Sequence, residues 1–228
     1  MQEVKYRNEF KHIINKYDAA ILKSKLKALM RSDPFANENS SYFIRSLYFD
    51  TYDDKTLIEK LYSVPYRYKY RIRLYNHDSS TMKLEKKKKL FAGTSKSSTL
   101  LSKEEVEMML QQDYSFLKNS DDAMKREAYI DFTTERFIQK TVVDYTRYPF
   151  IHPYGNVRIT IDTDIRSPLG QVDLFNPDMP TISVFPDEKC VLEIKYDEYL
   201  PEFIHKIVQT PNRRTASMSK YAACRRFL

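Results

Sequence analysis

Residues Tyr66–Tyr75 read YRYKYRIRLY, and this stretch decides the fold. Basic residues hold positions 67, 69, 71 and 73, and Tyr66, Tyr68, Tyr70, Ile72 and Leu74 hold the positions between. A period of two is that of a β-strand with one cationic and one apolar face. After the polar turn Asn76–Ser80, Met82–Leu90 repeats the pattern, with Lys83, Glu85, Lys87 and Lys89 on one face. The short connection predicts an antiparallel hairpin that sets the two cationic faces side by side. At the start of the chain, Lys5, Arg7, Glu9 and Lys11 alternate with Val4, Tyr6, Asn8, Phe10 and His12 in the same way. One such strand would fit a sheet with helices on one side and water on the other. Three with the same surplus of positive charge predict a barrel with a polar, cationic lumen and an apolar outside covered by helices. Glu9 and Glu85 are the carboxylates that would offset the repulsion.

The basicity is local. Ten Lys or Arg between Arg67 and Lys96 face only Asp78 and Glu85, while the 228-residue chain as a whole carries +7. A local positive field implies an anionic partner. The three glycines, Gly93, Gly155 and Gly170, cannot write either glycine-rich phosphate cradle, so any phosphate must be bound by side chains. Cys190 and Cys224 form no CxxC pair, and the four histidines have no metal-ligand spacing. The first ten residues carry Lys5, Arg7 and Glu9 where a signal peptide would be apolar, and no apolar run approaches the ~18 residues of a membrane span. A cytoplasmic protein is the expectation.

Strand signals recur at Val4–Ile14, Tyr42–Thr51, Tyr66–Tyr75, Met82–Leu90, Thr141–Tyr148, Gly155–Asp162, Thr181–Phe185 and Cys190–Tyr196. Helix signals lie at Asp18–Met30, Tyr52–Leu61, Lys103–Gln111, Ala123–Gln139, Glu202–Val208 and Thr215–Phe227. No repeat or linker interrupts them. The reading is an α+β fold in a single domain, residues 1–228: an eight-stranded antiparallel β-barrel surrounded by helices.

Several stretches, in order, carry a resemblance. They are Arg7-Asn8-Glu9-Phe10-Lys11, Ser46-Leu47-Tyr48-Phe49-Asp50-Thr51, Lys69-Tyr70-Arg71-Ile72-Arg73-Leu74-Tyr75 and Leu84-Glu85-Lys86-Lys87, then Tyr145-Thr146-Arg147, Val157 to Thr163, Val191-Leu192-Glu193-Ile194-Lys195-Tyr196 and Ser219-Lys220-Tyr221. From about residue 4 to the end, the chain resembles the VTC domain, the polyphosphate polymerase domain of the vacuolar transporter chaperone complex, within the triphosphate tunnel metalloenzyme (CYTH-like) superfamily. The resemblance implies an eight-stranded tunnel, and growth of polyphosphate from ATP with Mn²⁺ or Mg²⁺. It places Lys11, Arg71, Arg73, Lys87, Lys96, Arg147 and Arg158 on phosphate. Tyr145 would assist through its hydroxyl, Lys195 would join the substrate site, Glu193 would hold the metal, and Ser219 and Lys220 would close one mouth.

Where the triphosphatases of the superfamily begin ExExK, this chain has RxExK, with Arg7 at the first carboxylate position. One fewer carboxylate and one more cation favours holding a polyanion over metal-rich hydrolysis. The membrane segments of eukaryotic relatives have no counterpart in the sequence, so any membrane coupling would need a membrane-protein partner chain. Two other readings of the tunnel are hydrolysis of a triphosphate and binding of polyphosphate without turnover. Nucleic acid is not expected, because the cations alternate within strands and no nucleic-acid motif is present. Without the resemblance, Lys86–Lys89 would read as a solvated run in which only Lys87 stands out. Arg147 and Arg158 could equally be structural ion pairs, Glu193 could simply neutralise Lys195, and the tyrosines would pack the barrel's outside.

Overall fold

The structure is a computed structural model, and it describes residues 7–91, 93–169, 172–185, 187–209 and 218–225. In chain order the elements are β1 (Asn8–Ile14), α1 (Lys16–Leu29), β2 (Arg31–Ser32), β3 (Tyr42–Asp50), α2 (Lys55–Leu61), β4 (Arg67–Tyr75), β5 (Asp78–Leu90) and β6 (Gly93–Leu101). Then follow α3 (Lys103–Leu110), α4 (Ser115–Lys118), α5 (Ala123–Thr134), β7 (Ile138–His152), β8 (Val157–Pro168), β9 (Thr181–Ser183), β10 (Cys190–Tyr196), α6 (Glu202–Val208) and α7 (Lys220–Cys224).

Eight strands form one antiparallel path in the order β1-β10-β8-β7-β3-β4-β5-β6, with β2 paired to β7 and β9 to β8 outside it. The expected α+β, eight-stranded architecture is present, as a strongly curled open sheet: no ladder joins β1 to β6 among the described residues. Register sets the faces. Arg71 pairs with Tyr48 on one side and Glu85 on the other, and Lys87 with Lys69 and Lys96, so all six point into the curl. The hairpin turn is Asn76-His77, with φ of 52° and 58°. Two left-handed residues in succession match the twist of paired strands.

Some expectations are corrected. The eighth strand of the path is Gly93–Leu101 (β6), while Thr181–Phe185 supplies only the short edge strand β9. The helix expected over Ala123–Gln139 ends at Thr134. Arg136 then takes φ 54° and Ile138–His152 continues as β7, a conformation a helix cannot carry. Residues 4–6 of the first expected strand, and residues 215–217 and 226–227 of the helix expected over Thr215–Phe227, lie outside the described residues, and the described part of that helix is α7.

Two apolar clusters cover the convex face. Tyr70, Ile72, Leu74 and Leu84 pack under α3–α5 against Val106, Met109, Leu117 and Phe132. Ile159, Ile161, Leu192 and Ile194 pack under α1 and α6 against Leu22, Leu26, Ile204 and Val208. Ser102 caps α3 in a capping box with Glu105, and Asp122 caps α5. A third cluster is on the concave side. Ile44, Val143 and Val191, all on inward positions, pack with Tyr48 and Tyr145 against Tyr221 and Cys224 of α7. The last helix therefore plugs the curl and is not part of the outer coat.

The convex face also holds charges. Arg45 and Asp144 are register partners on β3 and β7 and are nearly inaccessible to water. Arg45 Nε lies 3.0 Å from Asp144 Oδ1 and Nη2 lies 2.8 Å from Oδ2, while Nη1 donates to the carbonyl of Asn176 at 2.5 Å. Burial pushes the Asp144 carboxyl up, against the pull of Arg45. Removing one partner of such a pair strands the other. Asp144→Ala is therefore expected to lower the free energy of unfolding by about 3–5 kcal/mol. Pairing it with Arg45→Met should restore most of the loss. Urea denaturation measures both, and a cost within 0.5 kcal/mol of zero for the single variant would contradict the pairing.

Candidate active site

On the wall formed by β4, β5 and β6, like charges lie side by side. Lys69, Lys87 and Lys96 are register neighbours across the three strands. One turn of the pleat away, Glu85 interrupts the row. Arg71 Nε donates to Glu85 Oε2 at 2.6 Å, Arg73 Nη1 lies 3.8 Å from the same oxygen, and Lys96 pairs with Oε1. Burial would push the Glu85 carboxyl up, but Arg71 and Arg73, with Lys96, hold it down at about 2. Glu85 therefore serves as the fixed counter-ion of this wall. Lys69 has no such carboxylate partner among the described residues. Burial pushes its ammonium down to about 8, the Tyr48 phenol opposing, with Arg71, Lys87 and Lys11 adding to the fall.

The facing wall comes from β1, β10, β8 and β7. Lys11 and Glu193 are register partners, as are Glu9 and Lys195, and Lys195 and Arg158. Lys11 Nζ is 2.6 Å from Glu9, and Lys195 pairs with Glu193. Burial raises the Glu193 carboxyl, yet Lys11, Lys195 and Arg147 hold it well below the carboxylate range. Deeper in, Arg147 makes a two-pronged bond to the buried Asp162 at 2.7 and 2.8 Å, and Lys220 of α7 reaches the same carboxylate at 2.6 Å. Arg158 Nη2 donates to Asp33 at 2.9 Å and to the Tyr42 hydroxyl at 3.1 Å. Among the described residues, Lys87 reaches Glu9 at 3.5 Å and Arg73 reaches the Tyr145 hydroxyl at 3.2 Å, which ties the walls together across the curl.

The structure places Lys11, Arg71, Arg73, Lys87, Lys96, Tyr145, Arg147, Arg158, Glu193, Lys195 and Lys220 on one concave surface. Lys96 and Arg158 are its open, half-exposed members, whereas Arg73, Arg147 and Lys220 lie at its base. Ser219 has a different task in the fold, because its hydroxyl caps α7 by accepting from the Ala222 amide at 3.3 Å. Lys86 is no part of a solvated run. It points outward, buried, onto Glu127 and Asp131 of α5 and over the ring of Tyr68 at 4.3 Å. Lys69, Tyr48 and Asp162 are inward residues that escaped the sequence reading as site members, and the tyrosines are not confined to the outside.

Among the described residues no three His, Cys, Asp or Glu side chains converge as a metal cage. The carboxylates on the inward side of β1 and β10, Glu9 and Glu193, are already paired with lysines. That donor set fits a hard divalent ion that shares one or two carboxylates with phosphate oxygens, the habit of Mg²⁺, and not a preformed all-protein site.

A family model described as the VTC domain matches residues 6–228. Among solved structures, the chain is similar to a protein from Hippeastrum described as a candidate adenylyl cyclase with a dominant triphosphatase activity, at 14% identity and TM-score 0.57, covering 96% of this chain and 94% of that one. It is also similar to a candidate adenylate cyclase from Bacillus halodurans, at 17% identity and TM-score 0.53, covering 92% and 95%. At these identities the likeness is one of fold. The sequence matches no curated protein.

The counter-ion role of Glu85 has a pH signature. A carboxyl held lower in the folded state than in the unfolded one stabilises the fold above its unfolded value, and that contribution is lost as pH falls through its folded value. The difference in unfolding free energy between the wild type and Glu85→Gln should thus be on the order of 3 kcal/mol near pH 6 and shrink between about pH 4.5 and about pH 2. Denaturant titrations across that range test it, and a difference independent of pH would contradict it.

Proposed function

The chain belongs to the VTC domain family, and from that membership we propose that it is a phosphotransferase that moves the terminal phosphate of ATP onto a growing polyphosphate chain along its concave face. The observation that carries the reading is the imbalance on that face. Even with Glu9, Glu85, Asp162 and Glu193 in place, the inward lysines and arginines outnumber the inward carboxylates, so the empty site retains charge for a polyanion.

Phosphoryl transfer asks mainly for positioning and for charge stabilisation across the transferred group. Arg71, Arg73, Arg147 and Arg158 offer planar forks for phosphate oxygens, and Lys11, Lys87, Lys96 and Lys195 offer mobile point charges. Arg73 is oriented by Tyr145, and Arg147 by Asp162, so each guanidinium is held before substrate arrives. Lys220 and the plug of α7 close the base of the curl, which directs the chain of phosphates toward the open side. A divalent cation, Mn²⁺ or Mg²⁺, would be held by Glu193 with phosphate oxygens and would supply further charge neutralisation when bound. The acceptor is itself a phosphate with an ionisable oxygen, so the tunnel needs no separate nucleophile.

Among the described residues no helix is long and apolar enough to cross a membrane. Supply of ATP suits a cytoplasmic setting, and delivery of product across a bilayer would require a membrane-protein partner.

Purified protein given ATP and Mn²⁺ is expected to produce a polyphosphate ladder on gels together with ADP. Arg71→Ala and Arg158→Ala should each reduce the rate by at least about 100-fold. Arg158→Ala is the cleaner variant, because its side chain is half-exposed and its loss leaves the base of the site intact. Orthophosphate without polymer would move the reaction to triphosphate hydrolysis, and tight binding without turnover would leave a polyphosphate-binding module.

A further inference from the structure

Tyr48 lies on β3 at the centre of the concave face, between its register partners Arg71 and Thr141. It is almost inaccessible to water. Its ring stacks on Tyr221 of the plug helix, with centroids 5.1 Å apart. Two cations lean on the same ring, Lys69 Nζ at 5.3 Å from its centroid and the Arg71 guanidinium at 5.8 Å. The one hydrogen bond at its oxygen among the described residues is accepted, from Arg71 Nη1 at 2.9 Å.

The chemistry of these neighbours restricts the phenol. From β4 it faces Lys69, Arg71 and Arg73, and Lys11 of β1 contributes from across the curl. Arginine, and lysine while it is charged, are donors only and cannot accept the phenolic proton. Tyr221 of α7 directs its own hydroxyl away, donating to Asp50 at 2.5 Å. A buried O–H ringed by donors has two satisfactory states. It can lose its proton and become an anion paired with Arg71, or it can give a hydrogen bond to an acceptor that enters from outside. A phosphate oxygen is such an acceptor, and it also takes over the charge of Arg71 and Lys69 that stabilised the anion.

We propose that Tyr48 is a proton-linked contact of the phosphate site: a phenolate that neutralises Arg71 while the site is empty, and a protonated hydrogen-bond donor once a phosphate chain occupies it. This rests on the phosphate-chain reading above. On binding, one proton moves from solvent onto the phenolate oxygen, with no other bond made or broken. The direction agrees with the local field: burial would raise the phenol, and Arg71, Lys69 and Arg73 overcome it and bring it down to about 7.

The test uses the full chain and inorganic tripolyphosphate without metal. In the free protein, an absorbance rise near 295 nm equal to one tyrosinate should titrate near pH 7 and be missing in Tyr48→Phe. At pH 8, tripolyphosphate should abolish that absorbance. Calorimetry in two buffers of different ionisation enthalpy should show one more proton taken up by the wild type than by Tyr48→Phe. Above pH 7 the wild-type affinity should fall about tenfold per pH unit relative to the variant. Lys69 could also take up a proton, but it would leave the 295 nm signal unchanged, so proton uptake without the optical change overturns the assignment to Tyr48. Absence of the tyrosinate in the free wild-type protein overturns the proposal whatever the variant's stability. Tripolyphosphate binding with neither change defeats this proposal alone, whereas no binding at all defeats the phosphate-chain reading with it.

Discussion

Repulsion between cations held side by side is the constraint on which this structure depends. Lys69, Lys87 and Lys96 are neighbours on adjacent strands, and Arg71 and Arg73 follow on the next rows. Like charges directly opposed destabilise a sheet, and curling the sheet brings them nearer still. Two features offset this. Glu85, Glu9 and Asp162 are placed so that each binds at least two cations, and Glu193 pairs with Lys195 beside its register partner Lys11. The convex face supplies the apolar burial that holds the strands in place, with Tyr70, Ile72 and Leu84 under one set of helices and Ile159, Ile161 and Leu192 under another. On β4, β5, β8 and β10 apolar burial is on one side of the strand and the positive charge on the other.

That division links fold to function. A strand whose apolar side is clamped by helices can present arginines on its other side in fixed orientations, so the site is organised before a ligand arrives. Arg147, held by Asp162, and Arg73, held by Ser46 and Tyr145, are examples. The plug helix adds a second layer. Tyr221 closes one end of the curl beneath Tyr48, and Lys220 brings a charge to the base from the far end of the chain.

Much of this was legible in the sequence because the period of two is a direct consequence of strand geometry. Arg71, Arg73 and Lys87 could be assigned to one face from Tyr66–Tyr75 and Met82–Leu90 alone. Strand β6 could not. It reads GTSKSSTLL: its inward positions 94, 96, 98 and 100 are exposed at the sheet's edge, and its outward positions carry Gly93, Ser95, Ser97 and Thr99 before Leu101, so no apolar alternation marks it. Tyr48 was hidden for the opposite reason: β3 is buried on both faces, outward against the helices and inward beneath α7, and its sequence shows no contrast between them. The burial of Lys86 rests on Glu127 and Asp131, about forty residues further along the chain, and no local pattern announces such partners. The resemblance to the VTC domain added what periodicity could not, the connection of Glu193 and Lys220 to the same surface.

The most direct measurement is a crystal structure of the protein with inorganic tripolyphosphate. The account predicts phosphates seated on the concave face between the two walls, within hydrogen-bond distance of Arg71, Arg73, Lys87 and Arg158, with the pairings of Glu85 and Glu9 loosened. Phosphates bound only on the convex face, or a concave face that stays empty at saturating ligand, would contradict it.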